Sequence, residues 1–127
     1  MENNDIIKSV ETISIDGYCP DNRAFIVAES IKDDIFVHGG SNKTKEYTQV
    51  DIFDTKSMQW NVITDISTSN PFFIFDKPLS GHSSTLVNST IYIIGGFDGN
   101  SYSGAIYMID TEDYTFTQVD IRGNGEY

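Results

Sequence analysis

The apolar residues of this chain come in short runs that alternate with polar ones, and the spacing of an amphipathic helix is nearly absent. The runs are rich in Ile, Val, Tyr and Phe, side chains that suit a pleated, half-buried surface. RAFIVAESI (23–31), DDIFVHGG (33–40), YTQVDIFD (47–54) and QWNVI (59–63) read as four strands. GHSSTLVNS (81–89), STIYIIGG (89–96), GAIYMID (104–110) and TFTQV (115–119) read as four more. Between them SNKTKE, DTKS, FDGNSYS and DTED are polar and carry turn chemistry. The pattern predicts an all-β chain in units of four short antiparallel strands.

Those two units are one unit repeated. Gly39 and Gly40 recur 56 residues later as Gly95 and Gly96. Across the same offset Asp54 falls on Asp110, Thr55 on Thr111 and Trp60 on Phe116. Ile35, Phe36 and Val37 fall on Ile91, Tyr92 and Ile93, while Val50 and Ile52 fall on Ile106 and Met108. No gap is needed from 33 to 63, so glycines, turn residues and alternating apolar positions stay in register together.

The residues that carry the repeat resemble the kelch motif. GHSSTLVNSTIYIIGGFDGNSYSGAIYMIDTEDYTF holds His82 after Gly81, an apolar strand, the diglycine, a variable loop, an Asp-headed turn and an aromatic six residues past Asp110. The first copy departs further: Pro20 and Arg23 resemble the motif's opening Pro and Arg, but Ile26 stands where His is expected. In the second copy Leu79 replaces the Arg and Phe116 the Trp. The resemblance covers roughly residues 17 to 119 and implies one four-stranded β-propeller blade per repeat. The expected organisation is an N-terminal ring-closing strand within 1–16, blade 1 over 17–63, a connection at 64–77, blade 2 over 78–119, and the start of a link to a third blade at 120–127.

Physical chemistry gives each signature residue a task. The diglycines Gly39–Gly40 and Gly95–Gly96 end the second strand, where the backbone needs positive φ or close approach to a neighbour. Asp54 and Asp110 open tight turns by accepting from backbone N–H groups two residues on. Trp60 and Phe116 on the outer strand supply apolar area for packing between blades. His82 is expected to be structural, hydrogen-bonded within its blade. Valine at Gly39 or at Gly95 is expected to abolish soluble expression.

Residues 6–15, IIKSVETISI, alternate like a strand with no partner strands ahead of them, as a ring-closing strand would. DIRGNGEY lies where a link into a further repeat would run. Propellers hold four to eight blades, and repeat arrays need about three units for stability. The expectation is therefore an N-terminal fragment of a longer propeller, or self-association of two or three copies into a ring of four or six blades.

Composition narrows the function classes. The chain has 127 residues, 19 acidic against 8 basic, for a formal charge of −11. That excess opposes electrostatic binding to nucleic acid and to anionic membranes. No window approaches about 18 consecutive apolar residues, and MENNDIIKSVETISI lacks the basic and apolar regions of a secretory signal. The expected setting is cytoplasmic. One cysteine excludes an internal disulfide framework.

No catalytic, cofactor or metal site is legible. GGFDGNSYSG lacks the GK[ST] of a phosphate loop and is followed by a strand, so no helix N-terminus is at hand. Asp98, Asn100 and Tyr102 are spaced like the start of a calcium loop, without its Gly and bidentate Glu. His82, Ser83 and Ser84 are strand neighbours that point to opposite faces, and Cys19 has no charged neighbour in sequence to activate it. The candidate partner-binding residues lie on three loops expected on one rim: Lys43 and Tyr47; Asp98, Asn100 and Tyr102; and Phe72, Phe73 and Phe75 in the 64–77 connection. The competing arrangement for the Phe run is folding back to cap the groove between blades.

The resemblance implies a protein-interaction or scaffold module, and the acidity favours a basic partner peptide or patch. The alternative is part of a kelch-propeller enzyme of the oxidase or sugar-isomerase type, whose site would need blades missing from this chain.

Overall fold

A computed structural model of the chain describes residues 9–63 and 78–119. The Phe run and most of the expected ends therefore lie outside the described residues. The described residues form eight strands: β1 (Val27–Ile31), β2 (Asp34–His38), β3 (Val50–Asp54), β4 (Gln59–Ile63), β5 (Ser83–Val87), β6 (Thr90–Ile94), β7 (Ile106–Asp110) and β8 (Thr115–Gln118). They form two four-stranded antiparallel sheets, each in sequence order. No helix occurs among the described residues. Residues 9–15 pair with neither sheet, and 6–8 fall outside the described part of the expected closing strand.

The offset of 56 holds at the level of backbone pairing. Phe36 faces Ile52 across β2–β3, and Tyr92 faces Met108 across β6–β7. The isolated bridges follow it too: Ala24 with Ser41 and Ser41 with Glu46, then Ser80 with Phe97 and Phe97 with Tyr102. The Asp-headed turns match as well. Asp54 accepts from Lys56 N–H and Asp110 from Glu112 N–H, at 2.8 and 2.9 Å.

Seven of the eight strands are shorter than their sequence runs, and in β1 the cause is a local turn. The run 23–31 is broken at Phe25, which holds a left-handed φ of 61° and leaves Ala24 in a separate bridge. The equivalent position in the second sheet is Gly81, φ 68°.

The core lies between the sheets. Strand alternation places Phe36, His38, Val50 and Ile52 on one face of the first sheet. On the second sheet Ile91, Ile93, Tyr107 and Ile109 share a face. Phe36, Val50 and Ile52 join these four and Leu79 in one buried cluster, edged by Leu86 and Phe116. Because blade 1 offers one face and blade 2 the opposite one, each blade has a second, open face that no other strand among the described residues covers, although on blade 1 Val37 and Asp51 are buried there. On blade 2 the open face carries Tyr92, Ile94, Ile106 and Met108, none of them buried. Their equivalents Phe36, His38, Val50 and Ile52 are all buried in the junction.

Candidate functional site

The loops after β2 and β6 are built alike. Asn42 N–H donates to the Lys45 carbonyl at 3.1 Å, and Asp98 N–H to the Ser101 carbonyl at 3.0 Å. Asn42 Oδ1 accepts from the N–H groups of Thr44 and Lys45 at 2.8 and 3.1 Å. Asp98 Oδ1 accepts from those of Asn100 and Ser101 at 2.8 and 2.7 Å. Short Asx side chains close such turns because they reach backbone two residues on. The Ser101 and Asn100 amides hold the Asp98 carboxyl below the usual carboxylate range. The loops adjoin: a Cβ on Gly99 would stand 3.3 Å from Glu46 Cγ, and Glu46 accepts from Ser80 Oγ at 2.8 Å.

The rim residues divide by exposure. Lys43, Asp98, Asn100 and Tyr102 are exposed, Tyr102 by 85%. Tyr47 is buried instead. Its hydroxyl accepts from Asn42 Nδ2 at 2.8 Å and donates to Asp21 at 3.1 Å, and the Arg23 and Lys45 cations lie over its ring. Tyr47 therefore fastens the first loop to the 18–23 segment and leaves its side chain unavailable to a partner. Phe72, Phe73 and Phe75 lie outside the described residues.

The same rim holds an open depression of about 500 Å³ lined by Phe25, Ser80, Gly81, Gly96, Phe97 and Tyr102. The Phe97 and Tyr102 rings sit 5.2 Å apart in a tilted contact. Phe25 is 69% exposed although its backbone is in the left-handed region. Such a conformation costs a non-glycine residue about 1–2 kcal/mol, and exposure returns none of it through burial. Phe25 escapes a motif-based reading. The signal that finds it is the offset, which sets it on Gly81.

Two further clusters join separate elements, and in the first His82 bonds across to the other blade rather than within its own. His38 Nδ1 and His82 Nε2 are 2.9 Å apart between the blades, with rings edge-on at 89°. Burial pushes the His82 pKa down to about 4, so the ring is neutral near pH 7. Ser84 donates to Glu29 and Ser83 to the Ile94 carbonyl, so neither serine bonds the His82 ring. On the open face of blade 1, Arg23 pairs with Asp51, whose side chain is fully buried. Tyr18 and Gln49 also donate to Asp51, and burial together with Asp51 pushes the Tyr18 pKa up. In the sequence this pair shows only as a charge at an inward strand position, where the second repeat has Tyr107. No group of three or more His, Cys, Asp or Glu able to hold a metal occurs among the described residues.

Residues 8–126 match the KLHDC2/KLHL20/DRC7 Kelch-repeats domain. The chain is similar to Kelch domain-containing protein 3 of Bos taurus, 30% identical over 97 residues, which are 74% of this chain and 24% of that protein. It is also similar to Tip elongation aberrant protein 3 of Schizosaccharomyces pombe, 31% identical over 86 residues, 63% of this chain and 7% of that protein. The chain thus spans about a quarter, or less, of the length of the curated relatives it matches.

Proposed function

The chain belongs to the kelch-repeat family, and from that membership we propose that it is a protein-interaction module. Its contact site is the aromatic depression between the loop after β6 and Phe25. The partner is a protein segment that inserts an apolar side chain beside Phe25, Phe97 and Tyr102, with basic residues flanking it. Exposed aromatics in a concave patch are the anchors that such contacts use, and the formal charge of −11 favours the basic flanks. The observation that carries this reading is Phe25, a strained and exposed aromatic where the second blade holds glycine. Two blades with an open face each make only part of a propeller, so further blades, from a longer chain or from other copies, complete it.

Phe25→Gly tests the site. Relief of roughly 1–2 kcal/mol of backbone strain offsets the ~0.5–1 kcal/mol entropic cost of glycine, so the variant stays at least as stable. Immobilised Phe25→Gly and Tyr102→Ser chains should both fail to recover the proteins that the wild-type chain recovers. Unchanged recovery by either folded variant would remove the depression from the argument.

A further inference from the structure

Among the described residues, three hydrogen bonds from side chain to side chain cross the junction between the blades. His38 Nδ1 meets His82 Nε2, Ser80 Oγ donates to Glu46, and Ser84 Oγ donates to Glu29. The 56-residue offset gives the residues that stand in the same six places on the two open faces. In place of His38, Glu46 and Glu29, the open face of blade 2 has Ile94, Tyr102 and Thr85. In place of His82, Ser80 and Ser84, the open face of blade 1 has Ile26, Ala24 and Ala28. All six are exposed.

Each hydrogen bond has thus lost both partners at once. Were one lost on one side only, docking would bury an imidazole or a carboxylate against an apolar group, at the full desolvation cost of that group. Replaced on both sides, the three pairs become Ile94 with Ile26, Tyr102 with Ala24 and Thr85 with Ala28, and no charged group is stranded. The open face of blade 2 matches the open face of blade 1 better than it would match a surface like blade 2's own packed face, where His82 would meet Ile94.

The backbone tells the same story. Gly40 N–H donates to the Leu79 carbonyl at 2.8 Å, and Leu79 N–H to the Tyr47 carbonyl at 3.3 Å. The equivalent groups, Gly96 N–H and Arg23 N–H, make no backbone hydrogen bond among the described residues. A Cβ on Gly39 would run into His82, whereas none of the described residues comes within 4 Å of one on Gly95. Beside them, the open face of blade 1 forms a depression of about 460 Å³ lined by Cys19, Arg23, Ile26, Val37 and Trp60 among others. Arg23 Nη1 is buried there without a hydrogen-bond partner among the described residues. Arg23 stands where blade 2 has Leu79, and Tyr92 stands where blade 1 has Phe36, two members of the packed core. A docked Tyr92 hydroxyl is an acceptor of the kind Nη1 lacks.

We infer that the occupant of each open face is a second copy of this chain, docked head to tail. Blade 2 of one copy packs on blade 1 of the next, with Ile94 against Ile26 and Gly96 N–H donating to the Arg23 carbonyl of the neighbouring copy. Because the contact is heterologous, it closes into a ring of whole chains when the rotation allows.

Light scattering and sedimentation of the full chain over a wide concentration range test this. The expected result is a discrete assembly at a multiple of the 14.2 kDa chain mass. Ile94→Asp and Ile26→Asp each bury an unpaired carboxylate at the junction and should weaken assembly more than ~10-fold, leaving folded monomers by circular dichroism. Mixed one to one, the two monomeric variants keep one intact junction between them, so they should form a heterodimer. A wild-type chain that stays monomeric throughout, variants that assemble like wild type, or a mixture that stays monomeric would each overturn the pairing. Tyr102 and Gly96 line the aromatic depression and also stand at the proposed junction, so the two readings are separated by Phe25→Gly, which should lose partner recovery and keep assembly.

Discussion

Alanine at Gly39 and alanine at Gly95 separate what the diglycine needs from its backbone and what it needs from its packing. Both residues hold left-handed φ, 75° and 76°, so either substitution carries roughly 1–2 kcal/mol of strain. Only Gly39 is enclosed. A Cβ there would lie 2.6 Å from His82 Cε1 and closer still to the Leu79 carbonyl oxygen. Neither obstacle can swing aside, because that carbonyl is bonded to Gly40 N–H and the imidazole is held by His38. Forcing extra volume into such a contact adds about 1–3 kcal/mol. Gly39→Ala should therefore lose roughly 2–5 kcal/mol and Gly95→Ala about 1–2. Against a typical stability of ~5–15 kcal/mol, the first variant approaches unfolding and the second does not. The measurement is urea denaturation followed by Trp60 fluorescence, made in the Ile94→Asp chain so that the Gly95 side stays open. Equal losses at the two sites would refute the argument, and with it the view that the junction rather than the turn makes Gly39 obligatory. Valine at either position is expected from the sequence to abolish soluble expression; at Gly95 no described residue lies within 4 Å of an added Cβ, so there the cost comes from the backbone.

Acid should loosen the chain through His82. Its pKa is about 4 when folded against an ordinary 6.5, so the unfolded state takes up the proton first. Stability is full above about pH 6.5 and falls as the pH drops towards 4, ahead of the window in which Asp54, Asp98 and Asp113, all held low, begin to protonate. His82→Gln, which keeps a donor near Nε2, should flatten the slope of melting temperature between pH 6.5 and 4; a slope that persists would sink the assignment. Asp51→Ala leaves the Arg23 cation buried and unpaired and should lose about 3–5 kcal/mol. Arg23→Leu with Asp51→Tyr installs what blade 2 carries at those positions and should recover most of the loss in thermal melts. A double variant no better than Asp51→Ala would mean that the ion pair does more than fill its site.

Most of the strand pattern was legible because strands with one buried face carry their own alternation. The repeat register was legible because turn residues and glycines recur at the same offset as the apolar positions. The places where reading failed share a cause: they depend on which neighbour a residue meets. Phe25 breaks a run that alternates well, since φ is not written in hydropathy. Tyr47 looks like an exposed loop tyrosine until Asp21 and Arg23, distant in sequence, close over it. The Arg23–Asp51 pair hides because a charge on an inward strand position reads as a polar residue at an edge. Likewise, the asymmetry of the two diglycines comes from one being covered by a blade and the other lying open.

Phe25 ties the aromatic depression to the junction by more than proximity. Its carbonyl accepts from Gly81 N–H at 3.1 Å, a bond between the blades, and its backbone is left-handed just before β1. Glycine would make that turn without strain, as Gly81 does in the second blade, so the turn accounts for a glycine here and not for the side chain. Packing does not explain it either, because the ring is largely exposed. A phenyl group held out at this point by an inter-blade hydrogen bond reports the relative placement of the blades at the mouth of the depression. A partner that grips Phe25 between Phe97 and Tyr102 therefore contacts both blades at once. Its binding should raise the free energy needed to separate them, which is a stabilising linkage that Phe25→Gly would abolish.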